Sequence, residues 1–315
     1  MAGYRLTGPE PWNVAWIASA HSRHLPAGCG VWQHLRMEAE RTSKSASFLA
    51  GQAIHTEWES DYLNPQLDAF YDAVFRRIVA ALGARSGQHV LDAGCGYGFH
   101  LLRLADHGLR VTGIDFSETA LENARKNLER FQLQDRVELR QGNLLELPFE
   151  DASFDHVNCW GVLMHIPELE KALSELSRVL KPGGRIAIGE NNARSLHVVA
   201  WERLLRGVKK TLGRPVHPWN WTPRGLEEWR EQEGGGLMVR KMDPKFVEEF
   251  LQTRGLRLVD RFAGQFTEAY TSVPARPAKR LFYRLNQAYF RWDGPADLAL
   301  GNVYVFEKEN LNPTA

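Results

Sequence analysis

Three glycines at alternate positions, Gly94, Gly96 and Gly98, follow an acidic residue, Asp92, in the run VLDAGCGYGFH from Val90 to His100. Val90 and Leu91 open this run as part of a buried parallel strand. Leu101, Leu102, Leu104 and Ala105 resume it as the apolar side of a helix. Strand, glycine turn and helix bring backbone N–H groups up to a ligand, because glycine has no Cβ to hold the ligand off. A tight strand-to-helix turn with no ligand uses the same residues. Further on, Asp115 ends a second strand-like run, Arg110-Val111-Thr112-Gly113-Ile114, about twenty residues past the glycines. A carboxylate there accepts hydrogen bonds from both ribose hydroxyls of an adenosine. His165 falls just past the carboxyl end of another strand, where open α/β sheets place their sites. It is either a base for an acceptor hydroxyl, since imidazole titrates near neutrality, or a structural or cofactor-side residue. Glu190 ends a later strand on the same side and is the second candidate for acid, base or acceptor contact.

The type of ligand follows from what is missing. A dinucleotide fingerprint needs a third glycine at position 99, which is Phe99, and the Gly-Lys-Ser/Thr of a phosphate loop is absent. The run D-A-G-C-G-Y-G instead resembles the first motif of the class I S-adenosylmethionine-dependent methyltransferases. The likeness continues in order from Gln88 to Glu190, with a weaker match over the C-terminal strands. It includes Gly142-Asn143-Leu144-Leu145-Glu146-Leu147-Pro148-Phe149, Asp151-Ala152-Ser153-Phe154-Asp155-His156-Val157 and Leu180-Lys181-Pro182-Gly183-Gly184.

That resemblance implies an α/β fold, a three-layer Rossmann-like sandwich around a seven-stranded, mostly parallel sheet. It implies S-adenosylmethionine as cofactor, held by Asp92, Gly94, Gly96, Asp115, Phe116, Asn143, Leu144 and Trp160, with His165 and Glu190 as catalytic candidates. Asn143 stands where the family usually has aspartate. Its carbonyl accepts from the adenine amino group equally well, or the residue only shapes a turn. The motif layout resembles the ubiquinone- and menaquinone-biosynthesis branch, and therefore implies a small-molecule acceptor.

The remaining sequence must position these residues. Pro65–Leu82 carries apolar residues at helical spacing ahead of the first strand, and Ser117 caps the helix after the second, with Ala120, Leu121, Ala124 and Leu128 inward. Leu169–Leu180 is amphipathic, and L-K-P-G-G turns it into the strand Ile186–Glu190. Asp243-Pro244 caps and starts another helix. Strands at Leu256–Phe262 and Asn302–Glu307 complete the sheet. Four parts result: an N-terminal extension or lid over 1–64, a cofactor-binding core over 65–190, a substrate cap over 191–242 and the completion of the sheet over 243–315. Trp58–Tyr62 in the extension reads as a lid or as core packing.

The cap holds a helix from Val198 to Val208 and the cations Arg203, Arg206, Lys209, Lys210 and Arg214. Trp219 and Trp221 follow, and then the glycines 234–236, which read as a flexible break. The tryptophans suit the wall of a planar acceptor and the cations suit a phosphate or carboxylate. A solvated helix face with a packed aromatic loop fits as well. A second basic stretch, Pro274 to Trp292, suits an anionic surface or, more commonly, a solvated face.

Composition bounds the function. The chain has 315 residues, 43% hydrophobic and 24% charged, with a net charge of +1, which gives no global pull on nucleic acid. No Asn-Pro-Pro-Tyr motif or nucleic-acid module is present, so nucleic acid is not the expected partner. No apolar run is long enough to span a bilayer and no leader pattern is seen. The three cysteines lack metal-ligand spacing, and no metal is expected. The reading is a cytoplasmic enzyme with a small-molecule substrate, and a homodimer stays open. The expected reaction is in-line transfer of a methyl group to oxygen, nitrogen or carbon. The alternatives are a cofactor-binding non-catalytic or regulatory member of the fold and a methyltransferase acting on a macromolecule. A nicotinamide dehydrogenase fails at Phe99 and at L-K-P-G-G.

Overall fold

Consecutive apolar residues at Val90 and Leu91 make sense once the strand is seen to be covered on both faces. Val90 packs into one layer of core and Leu91 into the other, the period-two alternation of a strand. In the computed structural model, residues 65–310 are described except for 233–234 and 274–275, together with residues 40, 41, 43–45, 48 and 49. The expected lid at Trp58–Tyr62 and most of the extension lie outside the described residues.

Helix α1 (Pro65–Leu82) precedes strand β1 (His89–Ala93). Leu67, Phe70, Tyr71, Val74, Phe75 and Ile78 are buried at the expected helical spacing. β1 passes through the glycine turn into α2 (Phe99–Asp106), then β2 (Arg110–Asp115) and α3 (Glu118–Arg130). Ser117 caps α3 by accepting the N–H of Ala120 at 3.2 Å, which satisfies one of the donors that a helix start leaves orphaned. β3 (Val137–Gln141), β4 (Phe154–Trp160), α4 (Leu169–Val179) and β5 (Leu180–Asn191) follow.

After β5 a π-helical turn, His197–Glu202, runs into α5 (Arg203–Thr211). Next come β6 (Asn220–Thr222), β7 (Gly225–Gln232), β8 (Gly235–Met242) and α6 (Pro244–Gln252). The chain ends in β9 (Leu256–Gln265), α7 (Arg276–Arg291) and β10 (Gly301–Lys308).

The main sheet has seven strands in the order β3-β2-β1-β4-β5-β10-β9. The first five are mutually parallel, and β10 runs antiparallel to both its neighbours. This is the three-layer, mostly parallel α/β sandwich. One face carries α4 and α6 over Leu91, Val157, Ile186 and Ile188; the other carries α1 and α2 over Val90, Val111, Ala187 and Val303. Strand order reverses between β1 and β4, so the carboxyl ends of these strands flank a crevice, the usual place for a ligand in such sheets.

Three local expectations are corrected. L-K-P-G-G does not close a turn before the strand but runs inside β5, which pairs with β4 through a register shift between Phe154 and His156. Gly184 permits this, because a Cβ there would meet the carbonyl oxygen of Asp155 at 2.4 Å. Gly235 and Gly236 form the start of β8 in a three-stranded antiparallel sheet, β6-β7-β8. The Trp229 ring covers Gly236 so closely that a Cβ would lie 2.3 Å from it. The absent side chain at Gly236 makes room for a ring rather than for flexibility. The expected helix from Val198 begins as a π turn. Among the described residues, no helix is long and apolar enough to cross a membrane and no group of His, Cys, Asp and Glu is placed to hold a metal.

Gly189 in β5 lies beneath the indole of Trp160, and a Cβ on it would sit 2.3 Å from that ring. Gly189→Ala is therefore expected to displace Trp160 and destabilise the fold by about 1–3 kcal/mol, an overpacking cost. Thermal unfolding checks this; an unchanged Tm would mean that the indole moves aside freely.

Candidate active site

At the end of β1 the chain must turn under the loop that follows β4. Gly94 adopts φ +77°, and a Cβ on it would lie 2.4 Å from Val162. Gly96, at φ +53°, is the opposite case: its Cβ would meet nothing within 4 Å, because it faces a cavity. Asp115, buried at the end of β2, is held by two backbone donors. Its Oδ2 accepts the N–H of Gly96 and its Oδ1 that of Ser117, both at 2.9 Å. One carboxylate thus ties the glycine loop to the start of α3.

The cavity measures about 630 Å³, within the range of small-molecule sites. Its walls include Gly94, Gly96, Asp115, Phe116, Asn143, Leu144, Trp160, His165 and Glu190. Residues spread over a hundred positions of sequence are thereby brought to the carboxyl edge of one sheet. The side chain of Asn143 accepts the N–H of Leu145 at 2.9 Å and so also shapes its own turn. Asp92 stands apart, behind the wall. Its Oδ1 accepts from Asn158 at 2.7 Å while Oδ2 is buried without a partner among the described residues. Burial pushes its carboxyl up to about 7, against the lowering effect of Asn158.

Glu190 and His165 meet the same opening from different elements. Glu190 Oε1 accepts the N–H groups of Val162 and Leu163 at 3.1 and 2.8 Å, at the start of a short 3₁₀ turn, Leu163–His165. Its Oε2 is buried without a described partner. Burial raises this carboxyl to about 8, outweighing the N–H groups that favour the anion, so it carries its proton at neutral pH. His165 lies near the end of that turn and bonds through Nδ1 to the carbonyl of Met238 at 2.7 Å. Burial lowers it to about 4, so the ring is neutral across the physiological range.

The inserted segment supplies the other end of the cavity. Arg240, fully buried, pairs with Glu227 at 2.8 Å and donates to the carbonyls of Leu163, Ile166 and Pro167. It anchors β8 to the loop that carries His165. The π turn puts His197 and Glu202, five residues apart, 3.4 Å from one another, and Lys241 stands 3.2 Å from Glu202. Burial works to raise Glu202, but His197 and the Lys241 ammonium prevail and hold it below the usual carboxylate range. Glu268 lies at the same end and is raised by burial. These four residues line the cavity, and sequence reasoning missed them; only an i to i+5 pairing within the long insertion could have signalled His197 and Glu202. Among the suggested aromatics and cations, Trp219, Arg206 and Lys209 line the opening, with the Arg206 guanidinium 4.2 Å from the Trp219 ring centre. Trp221 and Lys210 lie outside it, exposed. From the N-terminal side, Ser45 and Leu49 reach the same cavity, Leu49 packed on Leu237 and Val239.

Comparison with known proteins identifies relatives of the core. Residues 91–188 match the methyltransferase-domain family. A phosphatidylethanolamine N-methyltransferase from Cereibacter sphaeroides is 40% identical over 139 residues, 44% of this chain and 68% of its own length. A demethylmenaquinone methyltransferase from Staphylococcus aureus (strain MRSA252) is 39% identical over 126 residues, 39% of this chain and 51% of its own. The chain spans about half to two-thirds of the length of the curated relatives it matches. In fold it is similar to a Pyrococcus horikoshii OT3 protein, with a TM-score of 0.54 at 18% identity over 79% of this chain and 94% of the other. The chain belongs to the class I S-adenosylmethionine-dependent methyltransferases, and quinone-biosynthesis enzymes are among its relatives.

The two raised carboxyls set a pH dependence. Glu190 at about 8 and Asp92 at about 7 keep protons in the folded chain that the unfolded chain releases near pH 4 to 5. Folding is therefore most favoured on the acid side, and stability falls as pH rises toward 8. Glu190→Gln is expected to flatten that fall in a series of melting curves from pH 5 to 8.5. An unchanged slope would mean that Glu190 is already ionised in the fold.

Proposed function

We propose that the protein transfers the methyl group of S-adenosylmethionine to a small-molecule acceptor, at oxygen, nitrogen or carbon. One observation carries this reading: a single cavity with two unlike ends. At one end lie the glycine loop, Asp115, Phe116, Asn143 and Leu144; at the other lie the charged and aromatic groups of the insertion. The open space in front of Gly96 and the carboxylate pinned at Asp115 fit the adenosine of the cofactor. Gly94, Gly96, Asp115, Phe116, Asn143, Leu144 and Trp160 would hold it, with Asp92 bracing the loop from behind. When bound, the cofactor supplies a methyl group made electrophilic by its sulfonium.

The protein's own contribution is to hold two reactants in contact and in line, the largest advantage such a site can offer. Glu190, protonated, serves as a donor at the strand edge. His165, neutral and fixed by Met238, offers its ring to the acceptor without adding charge. Glu202, ionised beside His197 and Lys241, and the Arg206–Trp219 pair orient the acceptor's polar part. The names of two relatives, a phospholipid and a quinone methyltransferase, support an acceptor with an apolar body. In this reading the enzyme works in a cytoplasmic, reducing setting, in keeping with the buried thiols Cys95 and Cys159.

Labelled S-adenosylmethionine incubated with host extract tests the reaction once lipid, small-metabolite, protein and RNA fractions are separated. Label is expected among lipids or small metabolites. Label in protein or RNA sinks the acceptor class; tight binding of S-adenosylhomocysteine with no label anywhere favours the non-catalytic alternative. Asp115→Ala removes a hydrogen-bonding carboxylate and is expected to weaken S-adenosylhomocysteine by about 10- to 100-fold in calorimetry. Glu202→Gln is expected to raise the acceptor KM about tenfold, the scale of one charged hydrogen bond, while leaving S-adenosylhomocysteine affinity unchanged; equal losses in both would remove Glu202 from the acceptor end.

A further inference from the structure

Helix α5 is amphipathic, yet none of its residues is buried. Leu204 and Val208, with Leu212 just past its end, recur every fourth position and are 61%, 46% and 65% exposed. A helix of a globular protein normally turns such a stripe inward. Helix α7 repeats the pattern. Leu281 and Leu285, with Trp292 just past its end, are 65%, 39% and 72% exposed, while its inward side is held by Asn286 and Tyr289. The π turn that leads into α5 lies against α7: Trp201 packs edge-on against Phe282, with ring centres 5.9 Å apart.

Charge follows the same division. Segments 197–216 and 276–292 together hold ten of the chain's 39 lysines and arginines but only one of its 38 acidic residues. That single carboxylate, Glu202, is taken up by His197 and Lys241. None of the ten cations pairs with a described carboxylate. The chain's net charge of +1 therefore conceals a strongly basic surface on an otherwise acidic molecule.

We propose that the α5/α7 face docks on an anionic phospholipid bilayer. Apolar stripes flanked by arginine and lysine, with a tryptophan at the margin, are what an interfacial helix presents to headgroups and upper acyl chains. Charge selects this occupant over a second copy of the chain, which would bring ten further cations against these ten. The outward leucine stripes select it over nucleic acid, whose phosphates gain nothing from them. Leu205, Arg206 and Lys209 of α5 line the cavity mouth, so the docked face sets the acceptor end of the cavity beside the lipid. The docking holds whether or not the proposed reaction does. If both hold, the acceptor is an amphiphile drawn from the bilayer.

Flotation of the full chain with vesicles tests this. Binding is expected to vesicles of phosphatidylglycerol mixed with phosphatidylcholine, to be absent with phosphatidylcholine alone, and to weaken in high salt. The variant Lys210→Glu/Arg214→Glu/Arg280→Glu/Arg284→Glu, with none of its sites on the cavity wall, is expected to lose about a hundredfold or more in binding. Leu204→Gln/Val208→Gln/Leu281→Gln is expected to lose most of the remainder. Both should keep wild-type S-adenosylhomocysteine affinity, which reports an intact fold. A wild-type chain that floats but binds no S-adenosylhomocysteine keeps this docking and sinks the proposed reaction. The docking is overturned by absent flotation, or by flotation that neither variant weakens. It is overturned in favour of self-association if a dimer seen by light scattering is abolished by the leucine variant while no vesicle binds. Binding to a short single-stranded RNA without flotation assigns the face to nucleic acid instead.

Discussion

The site rests on the Asp115 carboxylate. Its two oxygens accept backbone N–H groups from the glycine loop and from the start of α3. The carboxylate therefore fixes the distance between two loops that emerge from neighbouring strands. Hydrogen bonds from fixed backbone donors stabilise its charge, and position 115 is where a parallel strand ends beside the reversal in strand order. The left-handed glycines allow the loop to come that close, and Val162 presses on Gly94 from the β4 side. Were this tie lost, two walls of the cavity would lose their reference to one another.

Buried charge is handled differently around the cavity. Arg240 has no exposure at all and is paired with Glu227 and three carbonyls, as a buried cation must be. Glu190 and Asp92 each keep one oxygen without a described partner and avoid the cost by holding a proton. Glu202 escapes protonation only because His197 and Lys241 stand against it. The cavity wall therefore differs in polarity from place to place, neutral and hydrogen-bonded at Glu190, charged at Glu202.

The insertion after β5 gives this member of a common fold its individuality. It combines a π turn, an unburied amphipathic helix and a three-stranded sheet fastened to the core by Arg240 and by the Met238 carbonyl on His165. The core follows a fold shared across the family, while the insertion supplies one end of the cavity. Fold alone does not name a reaction, and the insertion adds His197, Glu202, Trp219 and Lys241 to the cavity wall that the core begins.

Much of the core was legible in the residues themselves. The glycine spacing, Asp115 at a strand end, Ser117 before an apolar-periodic helix and Asp243-Pro244 at another helix start are local signals, set by backbone sterics and by unsatisfied helix donors. They predict structure within a few residues of themselves, and the structure agrees. The insertion was read poorly for the same reason. Gly236 looked like a break, because nothing nearby in sequence reveals that Trp229 lies across it on the neighbouring strand. Gly184 looked like part of a turn, because its crowding comes from Asp155, on a different strand. His197, Glu202, Lys241 and Glu268 are scattered over some seventy positions and become a cluster only through a π turn and a strand pairing. The sequence by itself determined the glycine turn after β1, the strand end at Asp115 and the helix start at Ser117, because backbone sterics and unsatisfied helix donors are local. Tertiary structure alone decided which charges meet at the other end of the cavity and which leucines are left facing outward, because burial and pairing are properties of distant contacts.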